Sequence, residues 1–87
     1  MEQRSFVPIK IETFLTKNGW EKTYDKPPAG HQTWEKYEPD LGFWELFINY
    51  GEKHRCELWR GNGATKPEAV FSLRSIRAVL RRRGLAT

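Results

Sequence analysis

The chain has 87 residues, 38% of them hydrophobic and 14% aromatic, with fifteen Lys/Arg against eleven Asp/Glu and a net charge of +4. That length suits one domain whose folding buries roughly 60–65% of the surface exposed by the unfolded chain. No apolar run approaches the ~20 residues of a membrane span, and a single cysteine, Cys56, excludes an internal disulfide framework.

The opening segment MEQRSFVPIK lacks the apolar centre of a signal peptide. Together with the lone cysteine, which suits a reducing compartment, this makes the cytoplasm the expected location. PIKIETFLTKNGW predicts a first helix over 8–18. Pro8 suits its first turn, where a missing N–H costs nothing. Ile11, Phe14 and Leu15 recur at helical spacing. Gly19 stands where a left-handed residue ends a helix, and Trp20 would then fold back on Leu15.

WEKTYD (20–25) and TWEKYE (33–38) predict short strands, separated by the proline- and glycine-bearing loop KPPAGHQ. PDLG (39–42) is a turn. FWELFINY (43–50) and RCELWR (55–60) follow as paired strands, and GNGA ends the sheet. TKPE (65–68) has the form of a capping box, with Thr65 as N-cap and Glu68 at N3. It predicts a second helix from there to about Arg83, with Gly84 as its stop. The expected architecture over 1–87 is a single α+β domain of order α-β-β-β-β-α, an antiparallel sheet carrying both helices on one face.

Register decides what the hairpin 43–60 exposes. A loop of three or five residues gathers Trp44, Leu46, Ile48, Cys56 and Leu58 on one face, as a core requires. It sends Phe43, Phe47 and Trp59 to the opposite face. Three large aromatics so close together suggest a contact surface, since aromatics and arginine are enriched at interface hot spots.

The charge is uneven. Residues 1–65 hold nine Lys/Arg and ten Asp/Glu, whereas residues 66–87 hold six Lys/Arg and one acid. On a helical projection Ala69, Leu73, Ile76 and Leu80 form the buried stripe, with Val79 at its edge. Arg74, Arg77 and Arg81 share an adjacent face, Arg82 points away and Arg83 lies near the apolar side. Arginine rather than lysine at all five C-terminal positions favours bidentate recognition of carboxylate or phosphate.

Catalytic and metal chemistry find little to use. His31, His54 and Cys56 are too few for a standard zinc set, and Cys56 reads as a small buried apolar residue. GNGATKPE is glycine-rich but lacks the phosphate-binding P-loop spacing. Glu35, Glu45 and Glu57 form no pair suited to acid/base work. No cofactor is implied.

The layout is similar to that of double-stranded RNA-binding domains. AGH at 29–31 falls where that family carries a loop glycine and histidine, and GNGATKPEA at 61–69 resembles its glycine-and-lysine run. The chain departs from the pattern in an extra strand and in having only Lys66 where the family has a lysine cluster. The resemblance nominates His31 and Lys66 as nucleic-acid contacts.

These features point to a small non-catalytic binding module. Its expected partner is an acidic protein, engaged through Arg74, Arg77 and Arg81 together with Phe43, Phe47 and Trp59. The alternative is a nucleic acid, its phosphates held by Arg74, Arg77, Arg81 and Lys66 with His31 nearby. A third reading is a homodimer through the aromatic sheet face. Neither a membrane nor a small-molecule cofactor is an expected partner.

Overall fold

Two helices that end in the same way hold the ends of this fold together. In a computed structural model, which describes residues 7–27, 30–51, 54–61 and 63–87, helix α1 spans Ile9–Lys17. It closes on Gly19 at φ +86°. The Trp20 N–H reaches back to the Leu15 carbonyl at 3.0 Å and the Gly19 N–H to the Thr16 carbonyl at 3.1 Å. This pair of bonds is a Schellman motif, which needs a left-handed residue at its corner. Helix α2 spans Ile76–Arg82 and repeats the arrangement. Gly84 has φ +75°, and the N–H groups of Leu85 and Gly84 bond to the carbonyls of Leu80 and Arg81.

Between the helices lies one antiparallel sheet in chain order, β1 (Glu21–Asp25), β2 (His31–Glu38), β3 (Gly42–Asn49), β4 (Arg55–Arg60) and β5 (Ala69–Ser72). The register Ile48↔Cys56 leaves the expected odd loop between β3 and β4. One face therefore collects Trp34, Trp44, Leu46, Ile48, Cys56 and Leu58, all buried. Ile11 and Leu15 from α1, and Ile76, Leu80 and Leu85 from the C-terminal segment, complete the same core. The α+β class and the placement of both helices on one face follow the expectation.

The second helix starts later than its capping box implied. Thr65 caps nothing helical. Residues 69–72 form the fifth strand, a 3-10 turn covers Leu73–Ser75, and α2 begins only at Ile76. The physical reason is an alternation that the helical pattern concealed. Ala69 and Phe71 pack against the core while Val70 is 49% exposed, which is the period of a strand. The open edge of β4 also needs hydrogen-bond partners. Glu68 N–H bonds to the Leu58 carbonyl at 2.7 Å and starts the pairing.

Candidate binding surfaces

The arginines of the C-terminal segment gather around an aromatic ring contributed by α1. The guanidinium of Arg77 lies 5.1 Å from the centre of the Phe14 ring and that of Arg81 lies 5.7 Å from it, within reach of a cation–π attraction. Arg81 is further fixed by donating from Nε to the Thr87 carbonyl at 2.9 Å. Arg74, in the 3-10 turn, is exposed at a shallow cleft shared with His54, Ser72 and Leu73. No Asp or Glu pairs with Arg74, Arg77, Arg81 or Arg82 among the described residues, whereas Arg83 pairs with Glu68 at 3.1 Å. Lys10 and Lys17 stand four residues before and three after Phe14, so they share its helix face. They too lack an ion pair among the described residues. Phe14, which recurs with Ile11 and Leu15 at helical spacing, packs half-buried against the core and offers its ring to α2.

The ends of the two helices are clasped behind this platform. Trp20 Nε1 donates to the Leu85 carbonyl at 3.1 Å, across sixty-five residues of chain. Asn18 Oδ1 accepts from the Thr87 N–H at 2.8 Å, while its Nδ2 donates to the Phe14 carbonyl at 2.9 Å. Phe14 and Arg81 are thus held by the same junction.

The second surface is the outer face of the sheet. Phe43, Phe47 and Trp59 stand on it, half-buried, as the odd-loop register required. Tyr37, 68% exposed, and Tyr24, 46% exposed, join them. His31 packs between Tyr24 and Phe47, tilted against the first and edge-on to the second, with ring centres 5.0 and 5.8 Å away. No described element lies over this face, because both helices occupy the other one. Sequence reasoning missed Tyr24, Tyr37 and Val70, whose facing depends on the register of β1, β2 and β5.

The two groups of expected contact residues therefore do not form one surface. Arg74, Arg77 and Arg81 belong to the helical layer, and Phe43, Phe47 and Trp59 to the opposite side of the sheet. The nucleic-acid candidates are also dispersed. His31 starts β2 on the aromatic face, level with Asn49. Lys66 is exposed in the connection that follows the far end of β4.

A polar network that sequence reasoning did not find joins α1 to β1 and β2. Gln32, fully buried, donates to Glu12 at 2.6 Å and to the Tyr50 hydroxyl at 3.0 Å, and accepts from Trp34 Nε1 at 2.8 Å. The Tyr50 hydroxyl donates to Asp25 at 2.5 Å, and Lys22 bridges Asp25 and Glu12. Desolvation works against ionised Asp25, but hydrogen bonds from Tyr50 and Lys22 outweigh it and hold the carboxyl below its ordinary range. Desolvation also opposes the charge on Lys22, and its bonds to Asp25 and Glu12 overcome it and raise the ammonium. Burial, reinforced by the bond to Asp25, pushes Tyr50 up to about 12. No buried polar side-chain atom among the described residues lacks a hydrogen-bond partner. The network is a satisfied joint rather than a reactive cluster.

Cys56 is fully buried, and desolvation pushes its thiol up to about 12, which keeps it protonated and unreactive. No helix among the described residues is long and apolar enough to cross a membrane. Compared with family models, with curated proteins and with solved structures, the chain matches none of them.

Proposed function

We propose that the chain is a non-catalytic binding module that takes an acidic protein partner on its helical layer. One observation carries this reading. Arg77 and Arg81 are held over the Phe14 ring with no Asp or Glu partner among the described residues, and Arg74, Lys10 and Lys17 extend the same basic face. Holding a long side chain on a ring lowers the ordering cost of binding. An apolar centre ringed by guanidinium groups resembles the anchors that dominate protein interfaces. The lone thiol, buried and protonated, supports a non-catalytic role and suits a reducing compartment such as the cytoplasm.

A second reading keeps the same residues and replaces the partner with nucleic-acid phosphates. It is favoured by the spread of unpaired cations over two helices, which gives a long basic face rather than a single pocket. Fluorescence anisotropy separates the two. The protein is titrated into a labelled acidic peptide, duplex DNA, duplex RNA and single strands across a salt series. Under the protein reading, the acidic peptide binds best and binding is lost when Arg74, Arg77 and Arg81 are changed to Glu. Phe14→Leu, which keeps an apolar side chain but removes the ring face, should weaken it several-fold. Saturable binding to a nucleic acid with a log–log salt slope of about −2 to −3 would instead report three phosphate contacts. If none of these ligands binds at about 50 mM salt, the arginine face has no anionic partner of either kind.

A further inference from the structure

The outer sheet face has the opposite electrostatic character. Register places Glu21 opposite Glu35, and Glu35 opposite Glu45, in one row across β1, β2 and β3. The row ends at Trp59 on β4, opposite Glu45. None of the three carboxylates has a hydrogen-bond or ion-pair partner among the described residues. Like charges set directly opposite each other on neighbouring strands destabilise a sheet. Arg55 is the one lysine or arginine among the described strand residues of this face, and it is already paired with Glu57 at 3.5 Å. A domain of net charge +4 thus has a negative side.

Beside the row lies a shallow cleft of about 290 Å³, lined by His31, Phe47, Asn49, Glu57 and Trp59. Its walls are set in advance. Trp59 Nε1 donates to Glu57 at 2.9 Å, which fixes the indole. Phe47 is held against His31, and His31 against Tyr24. The faces of such rings attract cations. The neighbouring carboxylates attract them too. Strands stand about 4.8 Å apart, so the acidic row extends over roughly two such spacings. That is too long for one small cation and suits several side chains of a chain segment. Among the described residues no group of His, Cys, Asp and Glu is gathered closely enough to hold a metal ion.

We propose that the outer sheet face is a second docking surface, for an arginine- or lysine-bearing segment of another protein. One cationic side chain lies in the cleft against Trp59 and Phe47, and others meet Glu45, Glu35 and Glu21. This inference is independent of the arginine face, because it uses no residue of the helical layer.

The test uses octa-arginine and octa-lysine peptides, with a neutral Gly-Ser peptide of equal length as control, at about 20 mM salt. Trp59 reports binding directly, because Trp20, Trp34 and Trp44 are each only 2% exposed. A domain of this net charge repels a polycation on average, so association must be local to the face. Saturable binding with a change in tryptophan emission is expected for both basic peptides and not for the control. The double variant Glu35→Gln/Glu45→Gln should weaken it at least tenfold while raising the melting temperature, since it relieves like-charge repulsion. The variant Arg77→Gln/Arg81→Gln, which removes no carboxylate and adds none, should bind the peptides at least as tightly as the native chain does.

Absence of binding by the native chain overturns the proposal. So does binding that Glu35→Gln/Glu45→Gln leaves unchanged. A third result also overturns it: self-association by sedimentation velocity that disappears in both double variants. The occupant of the face would then be the arginine stripe of a second copy. With binding read instead by the anisotropy of a dye-labelled peptide, Trp59→Phe keeps an aromatic wall and should retain most of the affinity. Trp59→Ser should lose it, with circular dichroism confirming that both variants fold.

Discussion

Gly61 shows how a single side chain can shape a surface. Its N–H bonds to the Phe43 carbonyl at 2.8 Å, and the Phe43 ring lies over it so closely that an added Cβ would stand 2.4 Å from Cδ2. Gly61→Ala must therefore displace the ring. It should cost about 1–3 kcal/mol, the usual range for overpacking, measured by urea unfolding. A stability unchanged to within 0.5 kcal/mol would show that Phe43 moves freely and is not a fixed wall of the sheet face. Asp25 gives a prediction in pH. Its folded-state pKa is depressed, so its contribution is present above its ordinary value of 3.8 and is lost as pH falls through the folded value. Tyr50 works in the other direction. Raised from 10.0 to about 12, it stabilises below pH 10 and loses that contribution between there and about 12. Asp25→Asn should lower stability at neutral pH and flatten the acid limb of a stability–pH profile, while the alkaline limb keeps most of its slope because burial, the larger cause of the Tyr50 shift, remains. If the acid limb keeps its slope, other groups control the acid unfolding. At this scale the sequence was partly legible. Gly19 and Trp20 announced their cap because a left-handed corner needs glycine. Gly61 gave no such sign, because its constraint comes from a residue on another strand.

At the scale of elements, α1 and the hairpin β3–β4 were readable, whereas β5 was not. The hairpin betrayed itself because one register alone puts five apolar residues together. The segment 65–75 misled because two periods coincide there. Ala69, Leu73, Ile76 and Leu80 satisfy a helical stripe, yet Ala69 and Phe71 also alternate with exposed Val70. The strand wins through an interaction that local sequence does not contain, the bare edge of β4. Val70→Ala should test this. Alanine is the better helix former and valine the better strand former. The substitution is expected to lower the melting temperature by a few degrees, whereas a helix at this position would make it rise. Gly84→Ala is expected to cost about 1 kcal/mol, because the position holds φ +75°. An equal melting temperature would mean that the second Schellman turn is dispensable.

For the whole molecule, the arrangement of charge matters more than its sum. The excess positive charge of residues 66–87 was visible in composition. Its separation from the aromatics was not, because only the folded topology puts α2 and the outer sheet face on opposite sides. The carboxylate row Glu21, Glu35 and Glu45 was hidden for the same reason. It comes from three strands and needs two registers at once. One consequence concerns the junction of the helix ends. Trp20 and Leu85 meet across sixty-five residues of chain, so this non-local contact is expected to form late, after the sheet has brought them together. Its hydrogen bonds are not part of the sheet ladder. Amide hydrogen exchange should therefore show the last turns of α1 and α2 exchanging as one unit, below the protection of β3. The arginine platform exists only while that unit is closed. Warming should then release an anionic partner before the strands melt, so the domain would lose its grip while still folded.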